Sequence, residues 1–285
     1  MADLNLPFSR RSLLLGAAGL VGGGAIMAAC GGSDDPQFII SPRFPDDKAF
    51  VPGQVRLPVS ITDKNGSVLT TGPDRLTGKV ALDGGADVGT FEAVRRGTGL
   101  SAPYWSIVTT LPQAGLYSIT IEGAIGDPTH VIVYDPAELA MPALGQPLPG
   151  FDTPTIDNAR DVDPICTLPD GPCPFHTVTL NQALAAGKPV IYMVGTPAHC
   201  QFATCGPGLE FLIEAAKDYG DRITIVHAEV YSDPAGTAVA PAVDALRLTY
   251  EPVMFFTDAA GVVTNRVDIV WDQADLKELL KASFS

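Results

Sequence analysis

The chain has 285 residues, with 32 Asp and Glu against 18 Lys and Arg, a formal net charge of −14 and a hydrophobic fraction of 46%. An acidic excess spread along the sequence repels phosphate backbones and anionic headgroups, which excludes nucleic acid as a partner and excludes attachment to a membrane by basic residues. Length and apolar content suffice for two folded domains, and the five cysteines fall into three groups: Cys30 alone, Cys166 with Cys173, and Cys200 with Cys205.

Arg10 and Arg11 precede an apolar, Gly- and Ala-rich run from Leu13 to Ala29. A charged n-region before a short h-region reads as a signal peptide over residues 1–29, and the run is short and weakly hydrophobic for a permanent span. The pattern resembles a twin-arginine export signal, and Ala28-Ala29-Cys30 resembles a lipobox, with Met27 where that motif usually has Leu. The resemblance implies lipidation of Cys30 and a lipid anchor at the extracytoplasmic face of a cell membrane. An N-terminal transmembrane anchor, or a signal cut elsewhere, is the alternative. Residues 30–36 then form a polar tether.

From residue 37 to 135 the sequence carries short β-branched or alternating runs at Phe38-Ile39-Ile40, Val55 to Ile61, Thr90 to Val94, Tyr104 to Leu111, Leu116 to Ile121 and His130 to Tyr134. Asp63-Lys64-Asn65-Gly66 contains a hairpin turn signal. Strands at this spacing predict an antiparallel β-sandwich, and Pro112 to Tyr117 resembles the turn into a late strand of bacterial immunoglobulin-like modules. No Cys…Trp…Cys pattern is present. Tyr104, Trp105 and Tyr117 are expected to pack in its core, and this half carries no chemistry of its own.

Residues 136–174 are dense in Pro, Gly and Asp, the composition of an extended, semi-rigid linker. Cys166 and Cys173 bracket a turn-forming insert, and in an oxidising compartment they are expected to form a structural disulfide worth about 2 kcal/mol. A second redox pair, or a metal site with His176 as third ligand, is the alternative.

From 175 to 285 the apolar pattern predicts a short strand, a helix over Thr179 to Ala186, a strand over Pro189 to Val194, a helix over Gly208 to Tyr219 and a strand over Ile223 to Val230. A helix over Val239 to Leu248, a hairpin of Val253 to Thr257 with Val262 to Val270, and a helix over Gln273 to Ala282 follow. Continuous apolar strands separated by helices predict a sheet covered on both faces. Lys188 to Met193 as a strand, Cys200 to Cys205 at its end and Tyr250-Glu251-Pro252-Val253 as a later strand start resemble the thioredoxin fold. The chain is thus expected to be multidomain, an N-terminal antiparallel β-sandwich followed by a C-terminal α/β thioredoxin-like domain. The resemblance implies that Pro252 is a cis proline facing the reactive cysteine across a peptide-docking groove.

Pro207 suits the first turn of a helix, so Cys205 is expected near a helix N-terminus, where partial positive charge lowers a thiol pKa. Cys200 is assigned as the attacking thiol and Cys205 as the resolving one. His199 either supports the thiolate or is simply solvated, Glu251 reads as an exposed loop carboxylate, and His227 as a satisfied core histidine. The chain departs from thioredoxins in its Cys-x4-Cys spacing, in lacking a tryptophan before Cys200, and in having Val194 near the place of the usual buried acid. Pro197, three residues before Cys200, disfavours a peroxidase. The expected function is a membrane-anchored thiol-disulfide oxidoreductase acting on exported protein thiols or with a membrane redox partner, with no cofactor and no resident metal. A binding or scaffold lipoprotein with two inert disulfides, and a copper-delivery protein using Cys200, Cys205 and His199, are the alternatives.

Overall fold

The computed structural model describes residues 37–45, 48–139 and 141–284. The leader, Cys30 and the whole tether lie outside the described residues, and no helix among those described is long and apolar enough to cross a membrane. Residues Pro36–Ser285 form one compact unit.

Its first part is a seven-stranded antiparallel sheet built from β1 (Ile39–Pro42), β2 (Gly53–Thr62), β3 (Arg75–Leu82), β4 (Asp87–Arg96), β5 (Tyr104–Leu111), β6 (Gly115–Ile121) and β7 (Thr129–Val133), in the order β1-β2-β5-β4-β3-β6-β7. β4 joins β5 through the pairs Arg95 with Trp105 and Arg96 with Tyr104. That narrow junction lets the sheet fold over a single apolar cluster containing Leu57, Val59, Val80, Trp105, Ile107, Leu111, Tyr117 and Ile119. Tyr117 donates its hydroxyl to the Gln113 carbonyl at 2.9 Å, closing the turn into β6. At the Asp63 turn, the carboxylate accepts from the amides of Asn65 and Ser67, and Gly66 takes φ 84°. The sequence pattern passes over β3 because Gly78 and Lys79 break its apolar run. Gly78 is required there, since a Cβ would stand 2.1 Å from the Thr120 carbonyl oxygen.

The second part is a four-stranded mixed sheet of β8 (Val190–Val194), β9 (Thr224–Ala228), β10 (Val253–Thr257) and β11 (Val263–Asp268), in the order β11-β10-β8-β9. β9 runs parallel to β8, whereas β10 is antiparallel to both β8 and β11. Four helices cover it: α1 (Leu180–Ala185), α2 (Cys205–Ala216), α3 (Pro241–Leu246) and α4 (Gln273–Phe284). Alternation along the strands separates two cores. Val190, Tyr192 and Val194 pack with Leu180 of α1 and Leu246 of α3, while Ile191 and Met193 pack with Leu209 and Leu212 of α2 and Leu276 and Leu280 of α4. This is the arrangement that the resemblance to thioredoxins implies. The short strand expected before α1 is not formed among the described residues. The chain there instead offers the Phe175 carbonyl to the His227 amide and the His176 carbonyl to the Ile156 amide.

The Pro-rich segment is not an extended spacer. Met141 and Leu148 enter the core beside α1, and the backbone pairs with the β11 hairpin through Gly145 to Val263 and Leu148 to Gly261. Its prolines interrupt regular structure, yet the apolar residues between them have a core within reach.

The two sheets meet at a buried polar junction. Asp272 precedes α4 and caps it by accepting from the Asp275 amide at 2.9 Å. Its other carboxylate oxygen accepts from the Gly97 amide at 2.8 Å. Tyr104 of β5 donates to Asp275 at 2.6 Å and accepts from the Asp272 amide at 2.9 Å. Arg56 and Arg96 both pair with Asp275, and burial together with the Asp275 charge pushes the Tyr104 phenol well above its ordinary value. Removing one partner of such a cluster leaves buried charge uncompensated. Asp275→Ala is therefore expected to lower unfolding stability by about 3 kcal/mol, and Tyr104→Phe by about 1 kcal/mol. Urea unfolding of the two variants checks this, and an Asp275→Ala midpoint equal to wild type would contradict the junction's role.

Candidate active site

Strand β8 delivers the chain through Gly195 into the loop 196–204, and α2 begins at Cys205 itself. The helix therefore starts three residues earlier than its apolar pattern suggests, because Cys205, Gly206 and Pro207 form its first turn. First-turn amides of a helix have no intrahelical acceptor. The Cys205 amide donates to the Cys200 sulfur at 3.2 Å. Thr204, in the capping position, turns its hydroxyl away to the Ile269 carbonyl at 2.7 Å, which leaves this end of the helix to the sulfur. Cys200 and Cys205 are joined in a disulfide with their Cα atoms 6.0 Å apart. Cys200 is half-buried, whereas Cys205 is fully buried.

Pro252 lies under the same loop. The Glu251–Pro252 peptide is cis, and a Cβ placed on Gly195 would come within 3.2 Å of the Pro252 ring and 3.7 Å of the Cys205 Cβ. Glycine at 195 thus lets the loop, the proline and the buried cysteine close on one another. Cys200, Cys205 and Pro252 are brought together as the sequence implies.

Glu251 is the residue that sequence reasoning undervalued. It is half-buried, and its Oε2 lies 2.7 Å from the Cys205 sulfur. Burial first, then the nearby Glu229 charge, pushes its carboxyl up to about 7, against the opposing hydrogen bond from the Thr196 amide. A carboxyl arriving from the start of β10 thus stands at the buried sulfur. Its position beside the cis proline was the available signal, since the resemblance already set that peptide next to the cysteines. His199 does not engage Cys200: its Nε2 lies 3.2 Å from the Pro234 carbonyl and its ring packs edge-on against Tyr231.

Beside the disulfide runs a cleft of about 560 Å³, lined by Phe44, Phe202, Tyr231, Tyr250 and Glu251. Phe44 belongs to the chain between β1 and β2, so the first sheet supplies one wall. A larger cavity of about 600 Å³ between β2, β11 and α4 contains none of the cysteines.

Cys166 and Cys173 are not joined. The expected disulfide is replaced by two buried thiols packed with His176 and His227. Both thiols pack into the core beside α2 and α4. His227 is a buried, hydrogen-bonded core histidine as expected, and it is also a member of this cluster.

No protein-family model matches the chain, nor does any curated protein sequence. Among solved structures, a thioredoxin-family thiol:disulfide interchange protein from Chlorobium tepidum TLS is similar over 50% of this chain and 99% of its own, at 17% identity and TM-score 0.35. The C-terminal domain of a putative thiol-disulfide oxidoreductase from Bacteroides thetaiotaomicron covers 50% of this chain and 95% of its own, at 10% identity and TM-score 0.35. A chloroplastic thioredoxin z covers 36% and 85%, at 20% identity and TM-score 0.28.

Because the folded protein holds the Glu251 proton to higher pH than the unfolded chain, ionising this group costs stability as pH rises from about 4.5 to about 7. Glu251→Gln is expected to remove that loss, so that its stability exceeds wild type above pH 7 and matches it near pH 4. Denaturant titrations at the two pH values check this, and an unchanged pH profile would contradict burial of the carboxyl.

Proposed function

We propose that the chain is a membrane-anchored, extracytoplasmic thiol-disulfide oxidoreductase acting on exported protein thiols. The observation that carries the reading is the Cys200 sulfur set on the Cys205 amide at the start of α2, with the Glu251 carboxyl at the buried sulfur behind it. A helix N-terminus stabilises a thiolate, so the half-buried cysteine suits attack and departure while the buried one suits resolution.

Oxidation of a substrate dithiol then proceeds in two balanced steps. A substrate thiolate attacks the Cys200 sulfur, a mixed disulfide forms, and Cys205 departs with the electron pair and takes the Glu251 proton. The second substrate thiolate attacks the substrate sulfur of the mixed disulfide. This releases Cys200 as a thiolate held by the Cys205 amide, and the substrate leaves oxidised. In the reductive direction Glu251 accepts the Cys205 proton as that sulfur attacks the mixed disulfide. The leader and Cys30 support action outside the cytoplasm, where the acidic surface leaves attachment to the lipid.

The aromatic cleft suits an extended segment with apolar side chains. Cys205→Ser is expected to accumulate mixed disulfides on Cys200 with exported proteins, and Cys200→Ser to form none. Non-reducing electrophoresis with mass-spectrometric assignment of the bridged cysteines tests this. A Cys205→Ser protein that stays unbridged in the presence of reducible partners would favour the scaffold reading. Phe44→Ala and Phe202→Ala are expected to raise the KM for a disulfide-containing peptide about tenfold, the loss of roughly 1.4 kcal/mol of apolar contact, with an unchanged redox potential. An unchanged KM would remove the cleft from the substrate path.

A further inference from the structure

We propose that Cys166, Cys173, His176 and His227 form a tetrahedral two-sulfur, two-nitrogen site that holds one zinc ion and fastens the loop leading to Cys200. All four side chains are buried, the histidines completely. Each offers one ligand atom, and the four atoms lie within 4.8 Å of one another. Zinc bonds of about 2.3 Å to sulfur and about 2.05 Å to nitrogen set tetrahedral ligand atoms about 3.3 to 3.8 Å apart. Two of the six separations are close to this, Cys173 Sγ 3.7 Å from His227 Nδ1 and His227 Nδ1 3.2 Å from His176 Nε2, and the other four need close by at most about 1.5 Å from the 4.8 Å limit.

The orientation of His227 is fixed from outside the cluster. Its Nε2 donates to the Gly195 carbonyl at 3.0 Å, so in the neutral imidazole Nδ1 is the unprotonated nitrogen, and Nδ1 faces Cys173 and His176. A backbone carbonyl holding the far nitrogen is the usual second support of a metal-bound imidazole. Two thiolates balance the charge of a divalent ion, and a two-thiolate, two-imidazole tetrahedron selects zinc among the common divalent cations. The His176 Nδ1 and one Glu229 oxygen are buried without a hydrogen-bond partner.

The site reaches the redox loop by two paths. One is the Gly195 carbonyl on His227. The other runs from Glu229, which accepts from the amide and hydroxyl of Thr167 at 2.6 and 2.9 Å, through the Thr167 hydroxyl, which accepts from the Ala198 amide at 3.1 Å. Thr167 follows the ligand Cys166 directly, so the ion fixes the segment that in turn holds Ala198, two residues before Cys200.

The test uses the full chain carrying Cys200→Ser and Cys205→Ser, which removes the other pair of sulfurs. Recovered reduced and given zinc, it is expected to hold one ion per chain by elemental analysis. Cys166 and Cys173 should resist alkylation until a chelator is added, and cobalt(II) in place of zinc should give the intense ligand-field bands of a tetrahedral thiolate site. Adding Cys173→Ser should reduce bound zinc to less than a tenth. Three results would overturn the proposal: no zinc on the reduced chain with its circular dichroism intact, copper(I) bound while zinc is refused, or a Cys166–Cys173 disulfide in protein recovered from an exporting cell. The metal measurement is made with all four ligands present, so a misfolded Cys173→Ser variant does not spare it.

Discussion

The proposed chemistry rests on where α2 begins. With Cys205 as the first helical residue, its amide is one of the orphan donors of the helix end, and the Cys200 sulfur accepts it at 3.2 Å. In the proposed reaction that contact selects which sulfur carries charge after the disulfide opens, since Cys200 keeps the amide and the open side of the loop. Cys205 faces Glu251 and the sheet. Everything nearby maintains it: glycine at 195 allows the close approach of Pro252, and Thr204 spends its hydroxyl on Ile269 and leaves the helix end free. The longer Cys-x4-Cys loop is compatible with this because residues 201–203 bulge outward, with Ala203 at φ 52° and its amide on the Cys200 carbonyl.

The first sheet is more than a spacer in this account. Its edge supplies Phe44 to the cleft, and its Tyr104, Arg56 and Arg96 meet Asp275 in a buried junction under α4. Fixing the two sheets together fixes the aromatic wall relative to the disulfide, which is what a groove for an extended segment requires.

Much of the architecture was legible from periodicity. Fully apolar runs marked β8 and β10 because both faces of that sheet are covered, and alternating runs marked β5 and β6. Strand β3 escaped because the residue its packing demands, Gly78, is the one that lowers strand propensity. Helix α3 came out shorter than its pattern, ending at Leu246 with Arg247 in the left-handed region. The cysteine pair and Pro252 were legible through a resemblance, whereas Glu251 and His227 were not. Their partners lie 46 and 54 residues away in the chain, Cys205 and Cys173, and periodicity carries no signal for such juxtapositions, so only the place of Glu251 beside Pro252 pointed to one of them. The disulfide between Cys166 and Cys173 was inferred from spacing and compartment, and the two histidines that change its meaning lie on either side of β8.

The central claim is that Cys200 and Cys205 form a working exchange couple. Titrating that pair against a glutathione series, with alkylation and mass-spectrometric assignment of each thiol, tests it most directly. The account predicts a potential well above about −300 mV, with Cys200 alkylated first. A pair that stays oxidised until the protein unfolds would contradict it and make the bond a structural staple.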